Sequence, residues 1–209
     1  GESVSARRVE LFVDPVCPFA WMTSRWLLHA AEVREIEPVY SVMSLSVLNE
    51  GRELDPGYRA MLDDSWGPAR LAIAIREAEG NEAFSRWYTA WGERFHVGDD
   101  KSDRRRTAEL ALADAELPAS LIEKYDHVPG DEIDTALRAS HERAISLVGD
   151  DVGTPVITFG TGTAYFGPVI SPAPRGEDAG KLLDAMEALS TIEGFYEIKR
   201  SRSGGIDLS

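Results

Sequence analysis

Strand-like sequence is confined to the two ends of this chain, and the long middle reads almost entirely as helix. In RVELFVD (8–14), Val9, Leu11 and Val13 alternate with Glu10 and Phe12, an apolar density that suits a largely buried strand. The pattern turns helical at Pro18, with Trp21, Arg25 and Leu28 about one turn apart, and predicts a helix to about Val33. EPVYSVMSL (37–45) is β-branched and aromatic and predicts a second strand. Strand signals return only at TPVITFG (154–160) and TAYFG (163–167), which flank Thr161-Gly162 as a hairpin. An amphipathic helix, EDAGKLLDAMEALS (177–190), follows, and the residues after Phe195 read as a mobile tail.

The middle supplies four or five helical patterns. GPARLAIAIREAEG (67–80) has Pro68 at a plausible first helical position and Gly80 at its end. NEAFSRWYTAWGERF (81–95) brings Phe84, Tyr88, Trp91 and Phe95 to one face, and DRRRTAELALADAE (103–116) and PASLIEKY (118–125) are shorter. In DEIDTALRASHERAISLVG (131–149), Asp131 can cap, Ile133, Leu137 and Ile145 form a stripe, and Gly149 can terminate. The order is βαβ, helical insertion, ββα, and strand–helix–strand predicts a right-handed parallel unit. The predicted fold class is therefore α/β, a thioredoxin-like domain (1–54 and 150–209) with an inserted all-helical domain (55–149).

Charge narrows the partners. With 22 Lys+Arg against 36 Asp+Glu the formal charge is −14, which argues against a nucleic-acid backbone or an anionic membrane. The basic run Lys199-Arg200-Ser201-Arg202 reads as a solvated tail. A single cysteine rules out an intrachain disulfide framework. GESVSARR has no apolar signal core, and no run approaches the roughly 18 apolar residues of a span, so the expected location is the cytoplasm. His29, His127 and His141 have no metal-ligand spacing with Cys17, so no metal site is expected.

The one cysteine lies where the first strand should hand over to the first helix. A helix N-terminus stabilises a thiolate through its dipole and free N–H groups, and Pro18 suits the first turn because it has no N–H. Cys17 is thus the expected nucleophile, with a lowered pKa and partial exposure. Asp14 either bears on the thiol's proton balance or caps the strand end, while Trp21 and Trp26 read as packing. Pro155, in GTPV (153–156), stands at the start of a strand. In thioredoxin-like folds a cis proline at this point faces the active cysteine. Self-resolving Cys-x-x-Cys chemistry needs a second sulfur, and Ala20 supplies none, so an external thiol must release any mixed disulfide on Cys17.

Five blocks carry a resemblance: DPVCPFAWMTSRW (14–26), VMSLSVLNEG (42–51), WGPARLAIA (66–74), DDVGTPVI (150–157) and FGPVISPAPRGEDAGKLLDA (166–185). Together they resemble the DsbA-related thioredoxin-fold oxidoreductases and, more closely, the actinobacterial mycothiol-dependent nitroreductases. The resemblance implies a cytoplasmic enzyme, often a homodimer, with no tightly bound cofactor and with mycothiol or a similar small thiol as co-substrate. It implies a disulfide or electrophilic small molecule, a nitro compound among them, as the second substrate. By position it makes Cys17 the nucleophile, with Pro18 and the aromatic wall Phe19 beside it and Thr154-Pro155 as the facing loop. Asn49 and Tyr58 match positions near the thiol pocket, and His96, in ERFH, lies in a stretch that contributes to it. Ala20 departs from the pattern, since the nitroreductases carry their resolving cysteine there.

Taken singly, Asn49 reads equally well as a strand end or turn cap, and Tyr58 as a surface aromatic. Two rivals accompany the monothiol oxidoreductase. One is thiol transfer or isomerisation in the manner of kappa-class glutathione transferases, where the small thiol binds non-covalently and Cys17 need not react. The other is a catalytically silent binding protein.

Overall fold

A computed structural model describes residues 6–160 and 162–209. The first strand, β1 (Arg7–Val13), is followed by helix α1 (Pro18–Ala31) and strand β2 (Ile36–Val42). Strand β3 (Val156–Thr158), strand β4 (Tyr165–Phe166) and the last helix, Gly176–Ser190, close the chain's ordered elements. The four strands form one sheet in the order β2-β1-β3-β4. β1 runs parallel to β2, with Leu11 opposite Tyr40, and antiparallel to β3, with Leu11 opposite Ile157. β3 and β4 are antiparallel. This is the predicted thioredoxin-like arrangement, and it places the ends of β1 and α1 beside the start of β3.

Between β2 and β3 the described residues form only helices: α2 (Leu45–Leu48), α3 (Pro56–Asp63), α4 (Trp66–Glu79), α5 (Asn81–Gly92), α6 (Arg104–Asp114) and α7 (Ile133–Val148), which makes Gly176–Ser190 α8. Gly80 and Gly149 end α4 and α7 at φ of 94° and 91°, backbone that favours glycine. Glu93–Val97 continues α5 as a π turn, and Ala119–Tyr125 is a 3₁₀ helix where periodicity suggested α. Pro68 is the third residue of α4 and not the first, a position that equally requires no intrahelical N–H.

Two strand expectations need correction. β2 stops at Val42, because the Ser44 hydroxyl accepts the Val47 N–H at 3.1 Å and starts α2. The β3–β4 connection spans residues 159–164, so it is not a two-residue turn, and Thr161 lies outside the described residues, as do residues 1–5 of the opening stretch.

The sheet has a core on each face. Val9, Leu11 and Val13 point into one that also holds Trp26 and Leu27 of α1 and Phe84, Trp87 and Trp91 of α5, so the sheet and the inserted helices share a single apolar cluster. Phe12, Met43, Ala144 and Val156 form the smaller cluster under α7. The Trp26 indole donates to the Ala179 carbonyl at 3.0 Å and ties α1 to α8. Aromatic stacking continues along α5, with Trp87 on Trp91 and Trp91 on Phe95 at centroid distances of 5.6 and 4.5 Å. Each such pair is worth about 0.5–1.5 kcal/mol beyond burial.

Candidate active site

Cys17 is the N-cap of α1, in extended backbone (φ −81°, ψ 117°), with Pro18 at the first helical position. Its sulfur accepts the Ala20 N–H at 3.5 Å. The Thr154 carbonyl lies 3.7 Å from the same sulfur, brought there by the turn into β3. The Thr154–Pro155 peptide is cis. Cys17, Thr154 and Pro155, distant in sequence, therefore meet at one end of the sheet.

The thiol's setting differs from expectation. Cys17 is only 9 % exposed, and burial pushes its pKa up. The Thr154 side chain and the N–H groups of Ala20 and Phe19 pull the other way, while the Asp14 carboxyl adds to the rise. The predicted lowered pKa and partial exposure are thus not found, because desolvation outweighs the donors of the helix N-terminus.

Asp14 is fully buried. Its carboxylate accepts the Val16 N–H at 3.1 Å and the Leu45 N–H at 2.9 Å, joining the end of β1 to the start of α2. Desolvation raises its pKa to about 6 against these two hydrogen bonds. It braces the strand end and bears on the thiol's charge, the two roles considered for it.

His96 and Trp91 act on the same loop from the insertion. The Trp91 indole N–H and the His96 Nε2–H donate to the Pro15 carbonyl at 2.8 and 2.9 Å. His96 stacks on Trp21 at 5.8 Å, and burial lowers its pKa to about 4, so it is neutral. The Trp21 ring also covers Gly92, where a Cβ would lie 2.1 Å from a ring carbon.

A family model described as "Rv2466c-like: Mycothiol-dependent nitroreductase Rv2466c" matches residues 16–200, most of the chain. The chain belongs to this mycothiol-dependent nitroreductase family. The protein named "Uncharacterized protein Rv2286c" of Mycobacterium tuberculosis is 26 % identical over 195 residues, 93 % of this chain and 82 % of that protein. Among solved structures, the probable DsbA oxidoreductase SCO1869 of Streptomyces coelicolor aligns with a TM-score of 0.58 at 15 % identity, over 93 % of this chain and 94 % of that one. The cytosolic disulfide reductase DsbM of Pseudomonas aeruginosa, with GSH, aligns with a TM-score of 0.52 at 15 % identity, over 87 % and 100 %. At that identity these two structures speak for the DsbA-like thioredoxin fold.

The remaining residues expected in this family member's site divide. Phe19 is half-buried beside the thiol, with the Arg202 guanidinium 4.5 Å above its ring. Tyr58 is 38 % exposed, and its hydroxyl is close enough to Asp14 and Cys17 for their charges to add to the burial that raises its pKa. Asn49 turns away, its side-chain amide donating to the Leu45 carbonyl at 2.8 Å as the C-cap of α2. His96 holds Pro15 and makes no hydrogen bond to the sulfur among the described residues. Sequence reasoning did not anticipate Trp91 or Arg202 near the site. An indole on a helical apolar stripe gives no sign that its N–H is aimed at a carbonyl 76 residues away. Among the described residues no group of His, Cys, Asp and Glu is placed to hold a metal, and no helix is long and apolar enough to cross a membrane.

Proposed function

We propose that this protein is a monothiol thiol–disulfide oxidoreductase in which Cys17 forms a mixed disulfide with mycothiol or a similar small thiol. The observation that carries the reading is the Cys17 sulfur at the N-cap of α1, 3.5 Å from the Ala20 N–H and facing Thr154. The Cys17 thiol first loses its proton to solvent water. The thiolate then attacks a disulfide, the new Cys17–sulfur bond forms as the old S–S bond breaks, and one thiolate leaves with the electron pair. A second thiolate attacks the adduct on Cys17 and returns it to thiolate. Ala20 confines turnover to this external release, so reduction of a nitro compound would draw both electrons from free thiol and not from an internal dithiol.

The raised thiol pKa assigns a role to the substrate. A bound ligand that brings a hydrogen-bond donor to the sulfur would offset the burial that raises its pKa. Thr154 and Pro155 form the wall opposite, Pro18 and Phe19 the near side, and Tyr58 the rim toward α3, while Asn49 supports that rim from behind as the C-cap of α2. A cytoplasmic location and a homodimer belong to the same reading, the former supported by the DsbM structure, named as cytosolic.

The decisive experiment is the intact mass of the protein after incubation with oxidised mycothiol, where one adduct, on Cys17, is expected. The burial that holds Cys17 protonated favours a second reading, transferase or isomerase chemistry on a non-covalently bound thiol. Turnover of an electrophile with reduced thiol that survives Cys17→Ser, without an adduct, would establish it. Ligand binding with neither adduct nor turnover would leave a silent binding protein.

A further inference from the structure

The basic run at 199–202 does not end as a free tail. The Arg202 guanidinium lies over the Phe19 ring, two residues from Cys17 in the first turn of α1. Downstream, the Asp207 N–H donates to Ser171 Oγ at 2.7 Å, and Leu208 packs against the main core. Ser171 belongs to the connector after β4, and the Pro168 carbonyl of that connector accepts the Thr23 hydroxyl of α1 at 2.7 Å. The segment is thereby anchored along the side of α1 that begins with Cys17. The family match ends at residue 200, so Arg202, Asp207 and Leu208 lie beyond it, while Phe19 and Ser171, which they meet, lie within it.

The chemistry of that placement is specific. Arg202 is exposed and has no carboxylate within ion-pair distance among the described residues. A guanidinium stacked on an aromatic face is held by its plane, and its N–H edge stays available for a planar, bidentate acceptor. A carboxylate fits that edge. The chain's formal charge of −14 repels anions in general, so a cation stacked on Phe19, two residues from Cys17, is a local exception to the protein's field.

We propose that Arg202 is a specificity-determining residue that draws carboxylate-bearing disulfides, the second substrate of the exchange, to Cys17. The inference rests on the reading of Cys17 as the reacting group. The step it favours is the exchange already described: the thiolate of Cys17 bonds to one sulfur of the anionic disulfide, and the other sulfur leaves as thiolate with the electron pair.

The test compares two chromogenic disulfides, the dianion dithiobis(nitrobenzoate) and neutral dithiodipyridine. Released thiolate or thione gives the rate constant for Cys17 in the parent, Arg202→Ala, Arg202→Lys and Arg202→Glu. The side chain is exposed, so these substitutions leave the core intact. The ratio of anionic to neutral rate constants is expected to fall about three- to tenfold in Arg202→Ala and further in Arg202→Glu. Arg202→Lys should retain most of it, and the differences should shrink at about 1 M salt. A ratio unchanged across the four proteins overturns the inference, as does a parallel rise of both rates in Arg202→Ala, which would make the segment a plain shield. Silence of Cys17 toward both probes would overturn the exchange reading and this inference with it, whereas reaction at a constant ratio overturns this inference alone.

Discussion

His96 donates from Nε2 to the Pro15 carbonyl across 2.9 Å, which ties the inserted helices to the loop that presents Cys17. The π turn at Glu93–Val97 puts it there, and the Trp91 indole reinforces it on the same oxygen. Extra residues of this kind inside a helix recur at functional sites. Here the effect is that Pro15 is held from the insertion and Asp14 from α2, so the thiol's loop is fastened on both sides.

Because burial holds His96 neutral with a pKa lowered to about 4, it should make the fold acid-sensitive. In the unfolded chain histidine titrates near 6.5. Between about pH 6.5 and 4 the unfolded state takes up a proton that the folded state refuses, so stability is full above the window and falls through it. The loss reaches about 3 kcal/mol at its lower end. His96→Gln retains a donor for Pro15 and should show a flatter denaturation midpoint across this window. Parallel pH profiles for the two proteins would refute the assignment.

Asp14 should act with the opposite sign. Its pKa is raised to about 6, so between pH 3.8 and 6 the folded state holds a proton that the unfolded state has lost. Stability is greatest below that window and declines as pH rises through it, by up to about 3 kcal/mol. Asp14→Asn removes this decline. It also removes a charge that raises the Cys17 pKa, so alkylation of Cys17 by iodoacetamide at neutral pH should speed up. A variant whose stability still declines with rising pH between 4 and 6, relative to the parent, would show that Asp14 is not the group responsible.

Gly92 admits the Trp21 ring where no side chain fits. Gly92→Ala should force the indole or the helix aside, at a cost of about 1–3 kcal/mol read as a lower denaturant midpoint. An unchanged midpoint would mean that α1 and α5 can separate freely.

Ala20→Cys would restore the missing sulfur one turn from Cys17. Oxidation of that variant should lower its mass by two hydrogens and remove both free thiols, and disulfide reductase activity should appear. If the two thiols remain free under oxidant, Ala20 is not the only barrier to a dithiol cycle.

The helix-capping cysteine was legible because its signal is local: an alternating run, Cys-Pro, then helical spacing. Two of the helices between β2 and β3 were legible for the same reason, since Gly80 and Gly149 end α4 and α7 where periodicity ends. Boundaries set by single hydrogen bonds were not, as the Ser44 hydroxyl shows at the end of β2. The residues past Phe195 looked like a free tail because composition is blind to distant partners. Asp207 and Leu208 in fact have partners, in Ser171 and the core.

By itself the sequence determined the order of the strands and of the helices that follow the first and the last of them, the cysteine's place at a helix start and the absence of a second sulfur, all properties of neighbouring residues. Only the tertiary structure decided how that thiol is charged and what surrounds it. Thr154 arrives from 137 residues away, Pro15 is held from the insertion, and Arg202 is laid over Phe19 from the far end of the described chain. Desolvation is a sum over everything packed around an atom, so a local motif that promises a thiolate can end, once buried, as a protonated thiol.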